Sequence, residues 1–409
     1  MSNYPFPKNA IQNGIGPVPQ SELDARLEKV NEELDKHGAK AMVFFSATNI
    51  TYLTGSHLIA TERPIAFVYV PGGEKAFFVP LLEREHAAAT TEGYRIVTYD
   101  EYPGETHPML LLKELLQDMG VAECTIAADA DGYPPAYGYE GPALSEVLGH
   151  EVVVLSRMVQ HMKEIKSEYE QSLIRESAKW SNLAMGLLRD YTKPGLTETD
   201  VCARAGHEAS QMMLRALGSR FQVSSDVETP VITGYRGQIG PDSYFPHATT
   251  TNIPFRKGYV LGCYAQSTVS DYICELERNF FMGEPTDEQK KYYDLARQLN
   301  RVCIEAVKAG EPCSSVDRAA RKFYKDNGIW DCWRHHVGHC LGTGMHEMPV
   351  LDIGCDRILQ PGMCFSIEPG IYVEGVGGFR LSDTILVHED CVEVVTFFDR
   401  DIEKLVIDC

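Results

Sequence analysis

The stretch from Leu261 to Gly283, LGCYAQSTVSDYICELERNFFMG, alternates apolar and polar side chains over much of its length. A period of two belongs to β-structure, where residues two apart share a face. Glu275 and Glu277, flanking Leu276, are therefore expected side by side on one face of a strand. Two neighbouring carboxylates are costly unless a cation compensates them. The segment thus calls for a sheet and for a positive partner, either a metal ion or a cationic substrate.

At 409 residues the chain exceeds one ordinary core, so two domains are expected. Residues 1–20, rich in Pro, Asn and Gly, read as an irregular arm. Ser21 then reads as an N-cap for a helix whose stripe is Leu23, Leu27, Val30 and Leu34 and which Gly38 ends. AMVFF (41–45) reads as a buried strand, and IAFVYVPGGEKAFFV as a hairpin turning at Pro-Gly-Gly. ECTIAADADGY and EVVVLS add strands, and PMLLLKELLQDMG a helix, giving a βα domain over 1–160. A long helical segment at 162–191 marks the junction with a second domain, 161–409. There TDEQKKYYDLARQLNRVCIEAVKAG and SSVDRAARKFYKDNG read as helices, and CFSIEPGIYV and RLSDTILV as strands. Strands and helices mix without strict alternation, so the class is α+β.

The net charge of −20 opposes binding to nucleic acid or to an anionic membrane and suits small cationic or zwitterionic ligands. No apolar run reaches the ~18 residues of a membrane span. Twelve cysteines occur without a C-x-x-C pair, and the first twenty residues lack the apolar core of a secretory signal. Free thiols and a cytoplasmic location are expected.

Four segments carry candidate chemistry. HHVGHCLGTGMHEMP (335–349) gathers His335, His336, His339 and His346 near Cys332 and Cys340, but the spacing fits no zinc finger or ribbon. Function is expected for His339 and His346, the others being supporting or surface residues. FSIEPGIY sets Glu368 in an apolar strand, where a carboxylate needs a partner: an internal pair with Arg380 or Arg278, or a role as the site acid. His247 follows Pro246 in a loop. Arg63 opens an apolar strand, either as an edge residue or as a fork for a substrate carboxylate.

Taken in order, HHVGHCLGTGMHEMP, FSIEPGIY and GGFRLSDTILV resemble the pita-bread enzymes: methionine aminopeptidases, aminopeptidase P, prolidases and creatinases. The resemblance implies a C-terminal pita-bread domain behind a smaller α/β domain of the creatinase/prolidase type. The family's metallopeptidases hold two ions with two aspartates, a histidine and two glutamates. By this resemblance the histidine falls on His339, one glutamate on Glu368 and the second aspartate on Glu275. The first aspartate falls near Cys263 and Tyr264, and the last glutamate on Ser382. Creatinase works without metal, and its Leu-Glu-Arg matches Leu276-Glu277-Arg278, its loop histidine His247 and its N-terminal arginine Arg63. The resemblance therefore implies a metal-independent hydrolase, without cofactor, cleaving a C–N bond in a small guanidino or amidine cation. In it, His247 is acid and base, and Glu277 and Glu368 cradle the cation. His339 and His346 complete the catalytic set, and Arg63, Glu275 and Arg380 bind substrate. The alternative is an Xaa-Pro peptidase with a degenerate metal site. A homodimer is implied by the resemblance alone.

Overall fold

The computed structural model describes residues 7, 9–11, 14–219, 221, 223 and 229–409; the expected irregular arm falls partly outside them. The chain divides into two compact units. Gly16–Met162 form one, and Met1–Ile15 with Lys163–Cys409 the other.

The first unit is built on a six-stranded mixed sheet. Its strands are β1 (Ala41–Phe44), β2 (Ala66–Tyr69), β3 (Lys75–Pro80), β4 (Arg95–Tyr99), β5 (Ile126–Ala128) and β6 (Val153–Val154), in the order β4-β3-β2-β1-β5-β6. β2 and β3 form the expected hairpin. The first helix spans Gln20–His37, with Pro19 rather than Ser21 before it, and Gly38 ends it in the left-handed conformation. Strand β4 carries no alternation in sequence and escapes a pattern reading.

The main part of the second unit begins at Lys163. The helical segment expected over 162–191 is two helices, Met158–Glu164 and Glu168–Tyr191. Ser167 breaks it by forming a capping box with Glu170, each satisfying the other's backbone N–H. The break lets buried Lys166 reach Glu347, 3.0 Å away.

This unit's strands are β7 (Val231–Gly234), β8 (Val260–Val269), β9 (Tyr272–Met282), β10 (Gly338–Cys340), β11 (Glu347–Val350), β12 (Cys364–Ile367), β13 (Gly370–Val373), β14 (Gly377–Arg380), β15 (Ser382–Val387), β16 (Val392–Val394) and β17 (Val406–Ile407). Nine of them make one sheet whose main path is β11-β10-β12-β15-β9-β8-β7, while β13 and β14 form a separate ribbon. The quoted alternating stretch is the β8–β9 hairpin. It turns at Ser270 and Asp271, both at positive φ as a two-residue primed turn requires. CFSIEPGIYV is not one strand: Pro369, with no N–H to give, separates β12 in the large sheet from β13 in the ribbon. That break leaves Glu368 beyond the end of β12.

The twelve cysteines are all free. No helix among the described residues is long and apolar enough to cross a membrane.

Candidate active site

Strand β9 lies between β8 and β15 and is buried along its whole length. It presents Glu275 and Glu277 on one face, opposite Gln266 and Tyr264 of β8. β10 places His339 opposite Ser366 of β12, and Glu368 follows β12 with its N–H held by the Val337 carbonyl. Carboxylate oxygens of Glu275, Glu277 and Glu368 all lie within 4.8 Å of one another. They open on a cavity of about 650 Å³ that His247, His335, His336, His339, His346, Arg236, Arg334 and Arg380 also line.

The pairing inside this cluster decides its chemistry. Glu277 is taken by two guanidiniums of the chain itself. Arg236 donates to its Oε1 at 2.5 Å and Arg380 donates to the same oxygen at 2.7 Å, with Nε of Arg380 against Oε2. Glu368 pairs with neither Arg380 nor Arg278, the two partners the sequence suggested. Its Oε1 lies 3.0 Å from Nε2 of His339, which is also 4.0 Å from Glu275. The His339–Glu368 contact is close but misaligned, so buried Nε2 has no aligned hydrogen-bond partner among the described residues. Arg278 instead pairs with Asp383 at 2.8 Å, both fully buried.

Burial raises the Glu275 carboxyl to about 8, helped by the Glu368 and Glu277 charges. Burial acts on Glu368 in the same direction, but His339 and Arg380 outweigh it and hold Glu368 down at about 2. Burial lowers His339, yet Glu368 and Glu275 lift it to about 9. At neutral pH the corner therefore holds a protonated carboxyl, an imidazolium and a carboxylate. The ring of His346 stacks on His339 at 3.9 Å, and burial and the neighbouring imidazolium keep His346 low.

A protonated, buried Glu275 has a consequence for stability. Its folded pKa lies above its unfolded value, so the folded state keeps a proton that the unfolded chain loses. Stability contributed by that proton falls as pH rises from the ordinary carboxylate range to about 8. Glu275→Gln is expected to be relatively more stable than the parent at pH 8 than at pH 5, by about 3 kcal/mol. Urea unfolding at the two pH values measures this; equal differences would show that Glu275 ionises normally.

Sequence reasoning placed six residues that the structure gathers here: Glu275, Glu277, His339, His346, Glu368 and Arg380. His247 faces the cavity from an exposed loop. Arg63 belongs to the first unit, where Glu101 and Glu62 engage its guanidinium. His335, set aside in the sequence, bonds the Tyr372 hydroxyl at 2.8 Å, and His336 joins it in the cavity wall. Arg236 carried no sequence signal at all, and Tyr264 was noted only as a position where a carboxylate is missing.

A family profile described as metallopeptidase family M24 matches residues 172–389. The chain belongs to metallopeptidase family M24. The profile of the creatinase/prolidase N-terminal domain matches residues 26–165 of this M24 chain. An uncharacterized peptidase of Staphylococcus haemolyticus (strain JCSC1435) is 26% identical over 382 residues, covering 92% of this chain and 100% of that protein. A recombinant prolidase from Thermococcus sibiricus superposes with a TM-score of 0.79 at 21% identity, covering 96% of this chain and 100% of the other. An Xaa-Pro dipeptidase from Bacillus anthracis gives 0.78 at 20%, covering 94% and 100%. The last two likenesses speak for the fold.

The name of the M24 family implies metal, and the donor set tests it. A bridged pair of divalent ions needs several hard oxygen ligands. Here the position resembling the first aspartate is Cys263 or Tyr264. The Cys263 thiol donates to the Arg278 carbonyl and touches Met185, while the Tyr264 ring carries the Arg236 guanidinium. Ser382 stands for the last glutamate and donates to Glu275 at 3.1 Å. Glu277 is already neutralised. Glu275, His339 and Glu368 remain, three donors that do not fit a metal pair.

Proposed function

We propose that this M24 chain hydrolyses the C–N bond of a small amide of the Xaa-Pro dipeptide class, without a metal pair. The observation that carries the reading is the corner of Glu275, His339 and Glu368, whose two carboxyls are driven to opposite protonation states. Carboxyls pushed apart in this way divide acid from base roles. Ionised Glu368 takes a proton from the attacking water. His339, in the cavity wall with its Nε2 beside Glu368, donates to the oxygen on which charge develops. Protonated Glu275, hydrogen-bonded by Ser382, returns a proton to the leaving nitrogen. His346 holds the plane of His339 by stacking. The solved prolidase and Xaa-Pro dipeptidase relatives support the substrate class.

The geometry revises the expectation of a cationic substrate. A guanidinium cradled between Glu277 and Glu368 would meet Arg236 and Arg380 already on Glu277. In this reading the base is Glu368 rather than His247, which stands on an exposed loop.

Purified protein is to be assayed on Xaa-Pro dipeptides, guanidino compounds and amidines before and after exhaustive chelation, with metal content measured. Dipeptide turnover that survives chelation, with no more than one equivalent of divalent metal per chain, is expected. Two tightly held ions per chain, with turnover abolished by chelator, would end the reading. Turnover restricted to guanidino compounds would return the cationic substrate.

A further inference from the structure

Arg236 sits where an arginine is hard to place. Its φ is +50°, left-handed, a region that non-glycine residues seldom occupy without local compensation. The next residue, Gly237, is left-handed too, and a Cβ there would lie 2.0 Å from the Thr249 carbonyl oxygen. Buried Glu198 pins the turn, accepting from the Gly237 N–H at 3.1 Å and from the Thr251 N–H at 2.7 Å. The backbone is thus fixed in a conformation that costs free energy, and the result is the direction of one side chain.

That side chain is held from two sides. Its guanidinium lies over the Tyr264 ring, 4.4 Å from the centroid, and one nitrogen donates to Glu277. Tyr264 in turn stands opposite Gly234 of β7, where any Cβ would meet the ring at 2.3 Å. Gly234, Tyr264 and Glu277 therefore form a built platform across three neighbouring strands. An arginine has five N–H donors, and of those on Arg236 Glu277 accepts only from Nη2. The side chain is 41% exposed and lines the cavity. Glu277 carries one negative charge and faces two guanidiniums, of which Arg380 is the buried one. One positive charge is left facing the cavity, in a planar fork suited to a carboxylate. Arg334, also in the wall, bonds only backbone carbonyls among the described residues.

We propose that Arg236, stacked on Tyr264 and tethered to Glu277, selects substrates that carry a free carboxylate. This rests on the proposed C–N hydrolase reading for its substrate and deepens it: a dipeptide with a free C-terminus is preferred over the same dipeptide closed as an amide. It also explains the departure at Tyr264, where a ring that supports a guanidinium replaces a carboxylate that would hold a metal.

The test compares the parent with Arg236→Gly, which relieves the left-handed strain while removing the fork, and with Arg236→Lys, which keeps charge without the planar stack. Glycyl-proline and glycyl-prolinamide are the substrates. In the parent, kcat/KM for the free acid is expected to exceed that for the amide about 30-fold. Arg236→Gly is expected to reduce the ratio to about 3-fold or less, through KM for the acid and with kcat little changed. Arg236→Lys falls between. A parent that does not discriminate, or a glycine variant that discriminates as well as the parent, overturns the proposal. If neither compound is turned over, the hydrolase reading fails on its own. Calorimetric binding of proline and prolinamide to parent and Arg236→Gly then decides: acid preference lost in the variant supports the proposal, and equal preference in both overturns it.

Discussion

Glu368→Gln lowers kcat by about 10³-fold or more and leaves KM within a few-fold, the expected result when the ionised carboxylate of the cluster is the base. Glutamine keeps the shape and an acceptor oxygen beside His339 but cannot take a proton from water. It also removes the charge that holds His339 as an imidazolium near pH 9. The sign of that second effect follows from linkage. A histidine raised by its partner is stabilising below its unfolded pKa, and the contribution is lost as pH rises through the folded value. In Glu368→Gln the His339 titration, followed by NMR, therefore moves downward toward the ordinary imidazole range. Steady-state assays and this titration are separate readouts. Activity within tenfold of the parent would remove Glu368 from the base role, and an unmoved His339 would show that Glu275 alone supports the imidazolium.

Asp383→Ala is expected to produce the largest loss of stability. Asp383 is fully buried and answers three groups: Arg278 at 2.8 Å, the Thr396 hydroxyl at 2.7 Å and Arg400 at 2.9 Å. Arg278 is buried without exposure and also donates to the backbone carbonyls of Ser382 and Phe398. Removing the carboxylate strands its charge in the core, which costs roughly 3–5 kcal/mol. For a unit of this size the melting temperature falls by roughly 6–20 °C. The pair joins β9 to β15 next to the register Glu277–Ser382 and Leu276–Asp383. Loss of the pair thus also loosens the Ser382 contact to Glu275, and turnover falls with stability. Replacing both partners, Asp383→Leu with Arg278→Met, is expected to recover much of the stability, because no uncompensated charge remains. A single variant melting within 2 °C of the parent would show that water reaches Arg278 and solvates it.

Local signals in the sequence carried far. Period-two alternation over 261–283 called for strand structure and put Glu275 and Glu277 on one face, because pleated backbone alternates its side chains whatever surrounds it; the turn at Ser270 and Asp271 that makes the stretch a hairpin went unread. The mixed order of strands and helices gave the α+β class. Ser167 was within reach of a capping reading, yet the apolar stripe running past it hid the helix break. Pro369 marked the end of β12, but the apolar residues on both sides disguised the change of sheet.

From the residues alone come the inventory and its local geometry: two adjacent carboxylates, a histidine-rich glycine loop, and a glutamate in an apolar run. Which cation answers which carboxylate emerges only once the chain is folded. Arg236 comes from a strained turn 41 residues before Glu277, and Arg380 from a ribbon more than a hundred residues after it. Charge compensation acts through space, between side chains that no local pattern relates. The same three glutamates therefore read as a cage for a foreign cation along the chain and as an internally neutralised site in the fold.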